Sequence, residues 1–206
     1  MGSEMCIRDS DTARRELGFN SEEIVVGTVG RLEPEKDQIT LLEAFRQLQS
    51  RQPHARLIIA GDGSMADQLK SHADRIGVAA TIRFLGYRRD IARLLAAMDV
   101  FLLTSIREGL PISLIEAMAA RRPVVASNIG SVRDLISDGN TGLLVAPGSV
   151  DGFRAAMERL IGDAALRQHI VQRARATVET SFSLPAVVSA YENLYRSAMM
   201  KRHVRN

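Results

Sequence analysis

The sequence predicts an α/β protein built on a doubly wound, Rossmann-like parallel sheet of about six strands. Six short apolar segments rich in β-branched residues recur between residues 24 and 146, and a helix-forming stretch follows each of them. The segments lack polar alternation, which is typical of strands that helices cover on both faces. A chain of 206 residues buries roughly 70 % of its unfolded surface, so one core of this kind needs no disulfide or metal.

Each predicted strand is a run of four to six residues that a polar or glycine-containing loop terminates. Such short, bounded apolar runs favour buried strands over helices, which need longer periodic stretches. In chain order, the predicted strands are Ile24–Val29, Arg56–Ala60, Thr81–Leu85, Val100–Thr104, Pro123–Ser127 and Gly142–Ala146.

The predicted helices lie in the longer stretches between and after these strands. Apolar residues recur at helical spacing in the first of them, and Val187, Tyr191, Leu194 and Ala198 form a stripe in the last. Phe182–Pro185 is the expected joint between the last two helices. In chain order, the predicted helices are Gln38–Ser50, Ser64–Ile76, Ile91–Met98, one that begins at Pro111, Val132–Ile136, Val150–Ile161, Ala164–Thr180 and Pro185–Met200.

Composition excludes several classes of protein. Hydrophobic residues are 46 % and charged residues 25 % of the chain, which excludes a disordered or collagen-like chain. The single cysteine, Cys6, has no partner for an internal disulfide. The net charge is only +3, and the late basic residues have no interleaved aromatic side chains. A solvated helix face is therefore expected there, with a nucleic-acid or anionic-membrane surface as the alternative.

The amino terminus differs from the rest of the chain. The stretch MGSEMCIRDS has neither helical nor strand periodicity and no apolar core, so it is not a signal peptide. Its string MCIRDS resembles translated sequencing-adapter DNA. We expect a non-native scar there, with the native protein entering near Asp11 and its true upstream part missing. The sequence contains no run of 18 apolar residues, so no transmembrane helix is predicted.

Glycine, basic and acidic residues follow five of the predicted strands. The five loops begin at Gly30, Gly61, Gly86, Ser105 and Asn128. Ligands of open parallel sheets bind beyond the carboxyl ends of the strands. Five such loops at one edge therefore predict an anionic, nucleotide-like ligand.

The loop after the first strand carries Arg31 and Lys36. An arginine forks onto phosphate oxygens and a lysine adds a compact charge, so the pair suits a diphosphate; two solvated surface cations are the alternative. The next loop, Gly61-Asp62-Gly63, lacks the third glycine of a dinucleotide fingerprint. It predicts only a tight turn with Ser64 as the helix cap.

Glu108 and Glu116 flank the start of the predicted helix that begins at Pro111. Eight residues correspond to roughly 12 Å along a helix, which is too far for two carboxylates to share one proton but suits two ends of an extended ligand. The backbone N–H groups of Leu110, Ile112 and Ser113 are candidates for a phosphate between them. A surface carboxylate is the alternative for Glu116.

Other chemistry has little support. The four histidines show no metal-ligand spacing, and no P-loop, nucleophile elbow or Cys/His pair is present. Asp9-Ser10-Asp11 has the D-x-D form of metal-dependent glycosyltransferases, but it follows no strand and overlaps the suspected scar. We expect no metal site.

The order of the motifs resembles one family. GRLEPEKD, IIAGDG, FLGYRRDI, MDVFLLTSIREGLPISLIEAMA, PVVAS and DGNTGLLV follow one another as in the C-terminal half of GT-B-fold, family 4-type retaining glycosyltransferases. The resemblance runs from about Ser21 to the C terminus. Its most specific element is the E-x7-E motif of Glu108 and Glu116.

The resemblance implies a metal-independent hexosyltransferase of glycan biosynthesis whose donor is a UDP- or GDP-linked sugar, with no prosthetic group. Arg31 and Lys36 match the basic pair on the donor diphosphate, Glu108 the carboxylate at the donor sugar, and Glu116 the carboxylate at the ribose. The remaining matches are the backbone beside Glu108 (Gly109, Leu110, Pro111 and Ile112) and the segment against the base (Gly86, Tyr87 and Arg88). Glu108, Arg31 and Lys36 are the expected catalytic residues.

The sequence departs from the family in two ways. Arg121 stands just after the predicted helix that begins at Pro111, where the family usually has the glycine of a left-handed cap. We also expect the family's first domain, which supplies the acceptor site, to be missing. We therefore expect residues 1–20 to be an extension, 21–181 the nucleotide-sugar-binding domain and 182–206 a C-terminal helix with a basic tail.

These observations favour the donor-binding half of a retaining glycosyltransferase, inactive by itself. We expect a cytoplasmic location, with peripheral membrane contact at the inner face through the missing domain and no nucleic-acid partner. Two alternatives remain open: a stand-alone nucleotide-binding or interaction module, and a GT-B-type sugar-nucleotide epimerase.

Overall fold

The structure, a computed structural model, describes residues 10–203. Six parallel strands form one sheet in the order β3-β2-β1-β4-β5-β6. Their bounds are β1 Ile24–Val29, β2 Ala55–Ala60, β3 Ile82–Phe84, β4 Val100–Leu103, β5 Val124–Ser127 and β6 Leu143–Val145. Each strand ends within one residue of its predicted bounds, which confirms the predicted fold class.

Helices cover both faces of this sheet. A first helix, α1, covers residues 10–16, and two 3-10 turns lie at Pro34–Lys36 and Ala79–Thr81. The others are α2 Gln38–Arg51, α3 Ala66–Arg75, α4 Ile91–Ala97, α5 Ile112–Ala119, α6 Gly130–Arg133, α7 Val150–Gly162, α8 Ala164–Ser181 and α9 Leu184–His203.

The core consists of two apolar layers, one on each face of the sheet. In β2, Leu57 and Ile59 join the layer formed with α2, α3 and α7, whereas Ile58 and Ala60 join the layer formed with α1, α4, α5 and α8. Successive side chains of a strand point to opposite faces. The unbroken apolar run from Leu57 to Ala60 is therefore what a doubly covered sheet requires.

Helices α3 and α6 begin two residues away from their predicted starts, α9 ends three residues later than predicted, and α1 was not predicted. Helix α3 begins at Ala66 rather than Ser64, since Met65 is its N-cap residue and makes no side-chain cap bond. Helix α6 covers Gly130–Arg133 rather than residues 132–136. The buried side chains of Val132 and Ile136 produced the predicted helical pattern, but Ile136 continues the segment only as a turn, through its N–H bond to the carbonyl of Val132.

Residues before 21, which we expected to form an extension outside the domain, pack onto the domain. Ala13 and Phe19 are buried in the second layer. Arg14 reaches the amino end of the sheet, where it pairs with Asp99 at 2.6 Å and donates to the carbonyl of Ala97 at 3.1 Å. Residues 1–9, which include the suspected scar and Asp9 of the D-x-D string, lie outside the described residues.

Candidate functional site

The strand order reverses between β1 and β4, so the loops that leave these two strands meet at their carboxyl ends. Both strands pair in parallel with each other, and each continues the sheet in the opposite direction. Such a switch point is where open α/β sheets bind ligands. The backbone N–H of Ile106, after β4, donates to the carbonyl of Glu35, after β1, at 2.9 Å.

Lys36 and Glu108 meet at this switch point although 72 residues separate them. The Lys36 Nζ lies 2.7 Å from Oε1 of Glu108, and only 18 % and 7 % of the two side chains are exposed. Asp37, in the left-handed conformation with φ of 47°, ends the loop and caps α2. The cation and the carboxylate therefore form one shielded pair.

Arg31 takes a different position from Lys36. Its side chain is 71 % exposed and pairs with Glu35 at 3.1 Å on the surface. It also lines an open cleft of about 350 Å³, together with Gly61, Tyr87, Arg88 and others. The two predicted cations thus approach the switch point separately, Lys36 half-buried and Arg31 exposed.

The cleft is bounded by backbone as much as by side chains. The N–H of Gly61 donates to the carbonyl of Gly86 at 2.8 Å, and the N–H of Gly30 donates to that of Ala60 at 3.0 Å. A Cβ atom on Gly61, whose φ is 146°, would overlap the carbonyl oxygen of Gly30. Glycine is therefore required where the loops after β1 and β2 cross.

Tyr87 and Arg88 form the far wall of this cleft. Tyr87 is 72 % exposed, so its ring is available for a planar ligand. Arg88 donates to both carboxylate oxygens of Asp90, at 2.7 and 2.5 Å. These bonds hold the pKa of Asp90 below its usual range and raise the pKa of Arg88.

Glu116 lies on α5, eight residues beyond Glu108. Burial raises the pKa of its carboxyl group above the usual range, although much of the residue faces solvent. The helix begins at Ile112 after the N-cap residue Pro111. Leu110 and Ile112 are each 56 % exposed, so this side of the switch point is open.

The predicted set of free amides needs one correction. The N–H of Ile112 donates to the carbonyl of Leu110 at 3.0 Å, so it is not free for a phosphate in this conformation. The first amide bonded within the helix is that of Leu114, which donates to the carbonyl of Pro111 at 3.0 Å. A tight turn before α5 produces this arrangement.

Sequence reasoning also assigned Ser64 the wrong partner. Its hydroxyl donates to Oε2 of Glu33 at 2.7 Å, and its N–H donates to Oε1 at 3.3 Å. Both bonds lower the pKa of Glu33, and the bond from the hydroxyl has the larger effect. Ser64 therefore ties the loop after β2 to the loop after β1 instead of capping α3.

Three hydroxyl groups around Lys36 and Glu108 were missed. Ser105 donates to Oε1 of Glu108 at 2.7 Å, Thr104 to the carbonyl of Lys36 at 2.9 Å and Ser131 to the carbonyl of Glu108 at 3.0 Å. The available signal was polar residues directly after a wholly apolar strand. No group of three or more His, Cys, Asp or Glu side chains within residues 10–203 is arranged to hold a metal ion.

Comparison with known proteins matches the sequence of this chain to one family. The profile of the family described as glycosyl transferases group 1 matches residues 9–177. The lipopolysaccharide core biosynthesis glycosyltransferase LpsE of Rhizobium meliloti strain 1021 is 34 % identical over 184 residues, which are 89 % of this chain and 53 % of that protein. The chain spans about half the length of the curated relatives that it matches.

Solved structures share the fold. HepE of Anabaena, solved in complex with UDP-glucose, superimposes with a TM-score of 0.86 at 29 % identity, over 92 % of this chain and 53 % of that one. The C-terminal domain of the group 1 protein LpcC of Francisella tularensis gives a TM-score of 0.77 at 23 % identity. The chain covers 93 % of that domain and the match extends over 85 % of this chain, so the fold occurs as a separate unit. Among the described residues, no helix is long and apolar enough to cross a membrane.

Proposed function

This chain belongs to the group 1 glycosyl transferases, and on that premise we propose that it is the donor-binding half of a retaining transferase that uses a nucleoside-diphosphate sugar. The observation that carries the proposal is the Lys36–Glu108 pair at the switch point, 2.7 Å between Nζ and Oε1. It brings together a cation suited to a diphosphate and a carboxylate suited to sugar hydroxyls.

The diphosphate would lie between the loop after β1 and the amino end of α5. Lys36 and Arg31 supply the positive charge, and the start of a helix adds a partial positive charge from its unpaired amides. As the bond from the sugar to the diphosphate breaks, negative charge grows on the leaving oxygen. Cations fixed at that position stabilise the charge as it develops, which is how such a site accelerates transfer.

The two glutamates divide the rest of the donor between them. Glu108, beside Lys36, would accept hydrogen bonds from hydroxyls of the donor sugar. Glu116, further along α5, would accept them from the ribose. Tyr87, with the backbone of Gly86 and the Arg88 side chain, would lie against the base in the cleft of about 350 Å³.

The alternatives raised by the sequence are not favoured. The relatives LpsE and EpsD are both described as glycosyltransferases, which does not favour an epimerase. A binding module without transferase activity would need no carboxylate beside the diphosphate cation. The UDP-glucose complex of HepE supports a uridine donor as the first candidate, with a GDP-linked sugar as the second.

Isothermal titration calorimetry tests this proposal. UDP, GDP, UDP-glucose and GDP-mannose are titrated into the chain in the presence of EDTA. We expect one nucleoside diphosphate to bind, and Lys36→Ala with Arg31→Ala to weaken it at least tenfold, since charge-assisted bonds contribute about 1.5–3 kcal/mol each.

Two single variants separate the roles of the glutamates. Glu116→Ala is expected to weaken the nucleoside diphosphate and its sugar-linked form alike, because both contain the ribose. Glu108→Ala is expected to weaken only the sugar-linked form. Equal losses of the same ligands in both variants would contradict the assignment, and no binding of any nucleotide by the wild-type chain would contradict the proposed function.

A further inference from the structure

Glu108 holds two donors on a single carboxylate oxygen. The Lys36 ammonium and the Ser105 hydroxyl both lie 2.7 Å from Oε1. Ser105 is 1 % exposed at the end of β4, so its hydroxyl is shielded from water. Two donors that converge on one oxygen fix the rotation of the carboxylate plane as well as its position.

The backbone on both sides of this pair is also held. Thr104, next to Ser105, donates to the carbonyl of Lys36 at 2.9 Å. Ser131, in α6, donates to the carbonyl of Glu108 at 3.0 Å. The backbone segments that carry the cation and the carboxylate are thus fixed to the end of β4 and to α6.

The second oxygen of Glu108 differs from the first. Within residues 10–203, no hydrogen bond to Oε2 accompanies those to Oε1, and Oε2 is not among the buried polar atoms that lack a partner. It is therefore the oxygen that remains available to a ligand hydroxyl. A carboxylate has acceptor capacity on both oxygens, so a donor on Oε1 does not prevent a bond to Oε2.

We infer that Ser105 is a positioning residue for Glu108, holding Oε1 so that Oε2 faces the sugar of the donor; this inference rests on the proposed function. A diphosphate competes with Glu108 for the ammonium group of Lys36. The Ser105 hydroxyl is neutral and buried, and it stays on Oε1 when Lys36 turns to the phosphate. Ser105 therefore acts only through Glu108 and on the sugar-bearing ligand.

The chain supplies a matched control for removing this hydroxyl. Ser127, at the end of β5, is fully buried, and its Oγ has no hydrogen-bond partner. Ser127→Ala deletes the same atom from an equally buried position without breaking a bond. It is expected to leave stability unchanged or slightly higher, because an unpaired buried hydroxyl is unfavourable.

The experiment measures the sugar preference, which is the Kd of UDP divided by the Kd of a sugar-linked UDP. UDP, UDP-glucose, UDP-galactose and UDP-N-acetylglucosamine are titrated into wild type, Ser105→Ala, Ser127→Ala, Glu108→Ala and the double variant Ser105→Ala/Glu108→Ala. Thermal unfolding of each variant is recorded in parallel. We expect Ser105→Ala to lower the sugar preference about three- to tenfold with the Kd of UDP unchanged, and Ser127→Ala to match wild type.

The double variant distinguishes positioning from a general structural role. Residues that act through one another are non-additive, so the double variant is expected to match Glu108→Ala. The inference is overturned if Ser105→Ala keeps the wild-type preference, weakens UDP equally, or lowers the preference further when Glu108 is already alanine. A wild-type chain that binds UDP with no preference for any sugar overturns it too, while nucleotide binding stands. Absence of binding by UDP, GDP and their sugar-linked forms alike overturns the proposed function itself.

Discussion

At the scale of single residues, Arg121 adopts the left-handed backbone conformation expected at this position, although an arginine is less favourable there than a glycine. It has φ of 58° directly after α5. The N–H of Arg122 donates to the carbonyl of Ala117 at 2.9 Å and that of Arg121 to the carbonyl of Met118 at 3.1 Å. This pair of bonds is a Schellman cap, whose left-handed residue is usually glycine. The turn predicted for a glycine therefore forms with an arginine in its place.

Arg121→Gly is expected to stabilise the chain by about 0.5–1 kcal/mol. The substitution removes the steric cost of a Cβ atom in the left-handed region, which exceeds the entropy that glycine gains on unfolding. Urea unfolding measures the difference. Arg121→Ala is the control, because it deletes the exposed side chain but keeps the Cβ atom. Equal stability of the two variants would show that the left-handed turn carries no strain.

The raised pKa of Glu116 leads us to expect that donor binding depends on pH. Burial raises its pKa, so the folded chain binds more protons than the unfolded one between the usual and the raised value. Proton binding by Glu116 therefore stabilises the folded chain below the usual pKa, and this stabilisation is lost as the pH rises through the raised pKa. Ribose hydroxyls need the ionised carboxylate as acceptor, so donor affinity changes in the opposite direction and falls on acidification.

Calorimetry from about pH 7 to about pH 5 measures this dependence. The titrant is a sugar-linked nucleotide, because the terminal phosphate of a free diphosphate titrates near pH 6. Wild type is expected to lose affinity towards the acidic end. Glu116→Gln, which does not ionise, is expected to bind with a nearly constant affinity. A parallel decline in both proteins would place the titrating group elsewhere.

At the scale of elements, the strands were predicted to within one residue because each is a short, mostly apolar run bounded by a loop. Helix α6 was displaced because Val132 and Ile136 are both buried, and burial at helical spacing does not require continuous helix. The hydroxyl contacts of Ser105 and Ser131 were not predictable, since they join residues of separate elements to Glu108. Local patterns placed Arg31, Lys36 and Glu108 in loops after the strands and Glu116 in a helix, but they did not predict that Lys36 pairs with Glu108.

Gly61→Ala tests how the loops after β1 and β2 are held together. Its added methyl group would overlap the carbonyl oxygen of Gly30 at a φ of 146°. The loop after β1, which carries Arg31 and Lys36, must then move. We expect a loss of about 2–4 kcal/mol in the free energy of unfolding and weaker nucleotide binding. Gly162→Ala is the control, because no atom lies within 4 Å of its added Cβ. Similar stability of the two variants would contradict the close approach.

At the scale of the whole molecule, the sheet presents two different edges. The carboxyl edge holds the Lys36–Glu108 pair and the cleft beside Tyr87. The amino edge holds a second cleft of about 240 Å³ lined by Arg14, Asp99 and Arg167 among others. The chain spans about half the length of its curated relatives. Under the proposed function, the described residues supply one wall of a transferase cleft, and that wall is open to solvent.

The chain alone is expected to bind its donor and to transfer no sugar. Alignment of two reactants in one cleft contributes about 7–11 kcal/mol to lowering a barrier, and no acceptor is aligned by a single wall. A labelled-donor assay over glycan, lipid and small-molecule acceptors measures transfer and donor hydrolysis separately. Slow hydrolysis that Glu108→Ala reduces is compatible with the account. Efficient transfer to any acceptor would contradict the assignment of this chain as a donor-binding half.

The central claim, that the carboxyl edge of the sheet binds a nucleoside-diphosphate sugar, is tested most directly by amide chemical-shift mapping. The ¹⁵N-labelled chain is titrated with UDP-glucose, and then with a GDP-linked sugar, in the presence of EDTA. The account predicts saturable shifts at the amides of Gly30, Gly61, Tyr87 and Gly109, with those of Glu22, Asp99 and Arg167 at the opposite edge unchanged. Shifts confined to the opposite edge, or none with either donor, would contradict it.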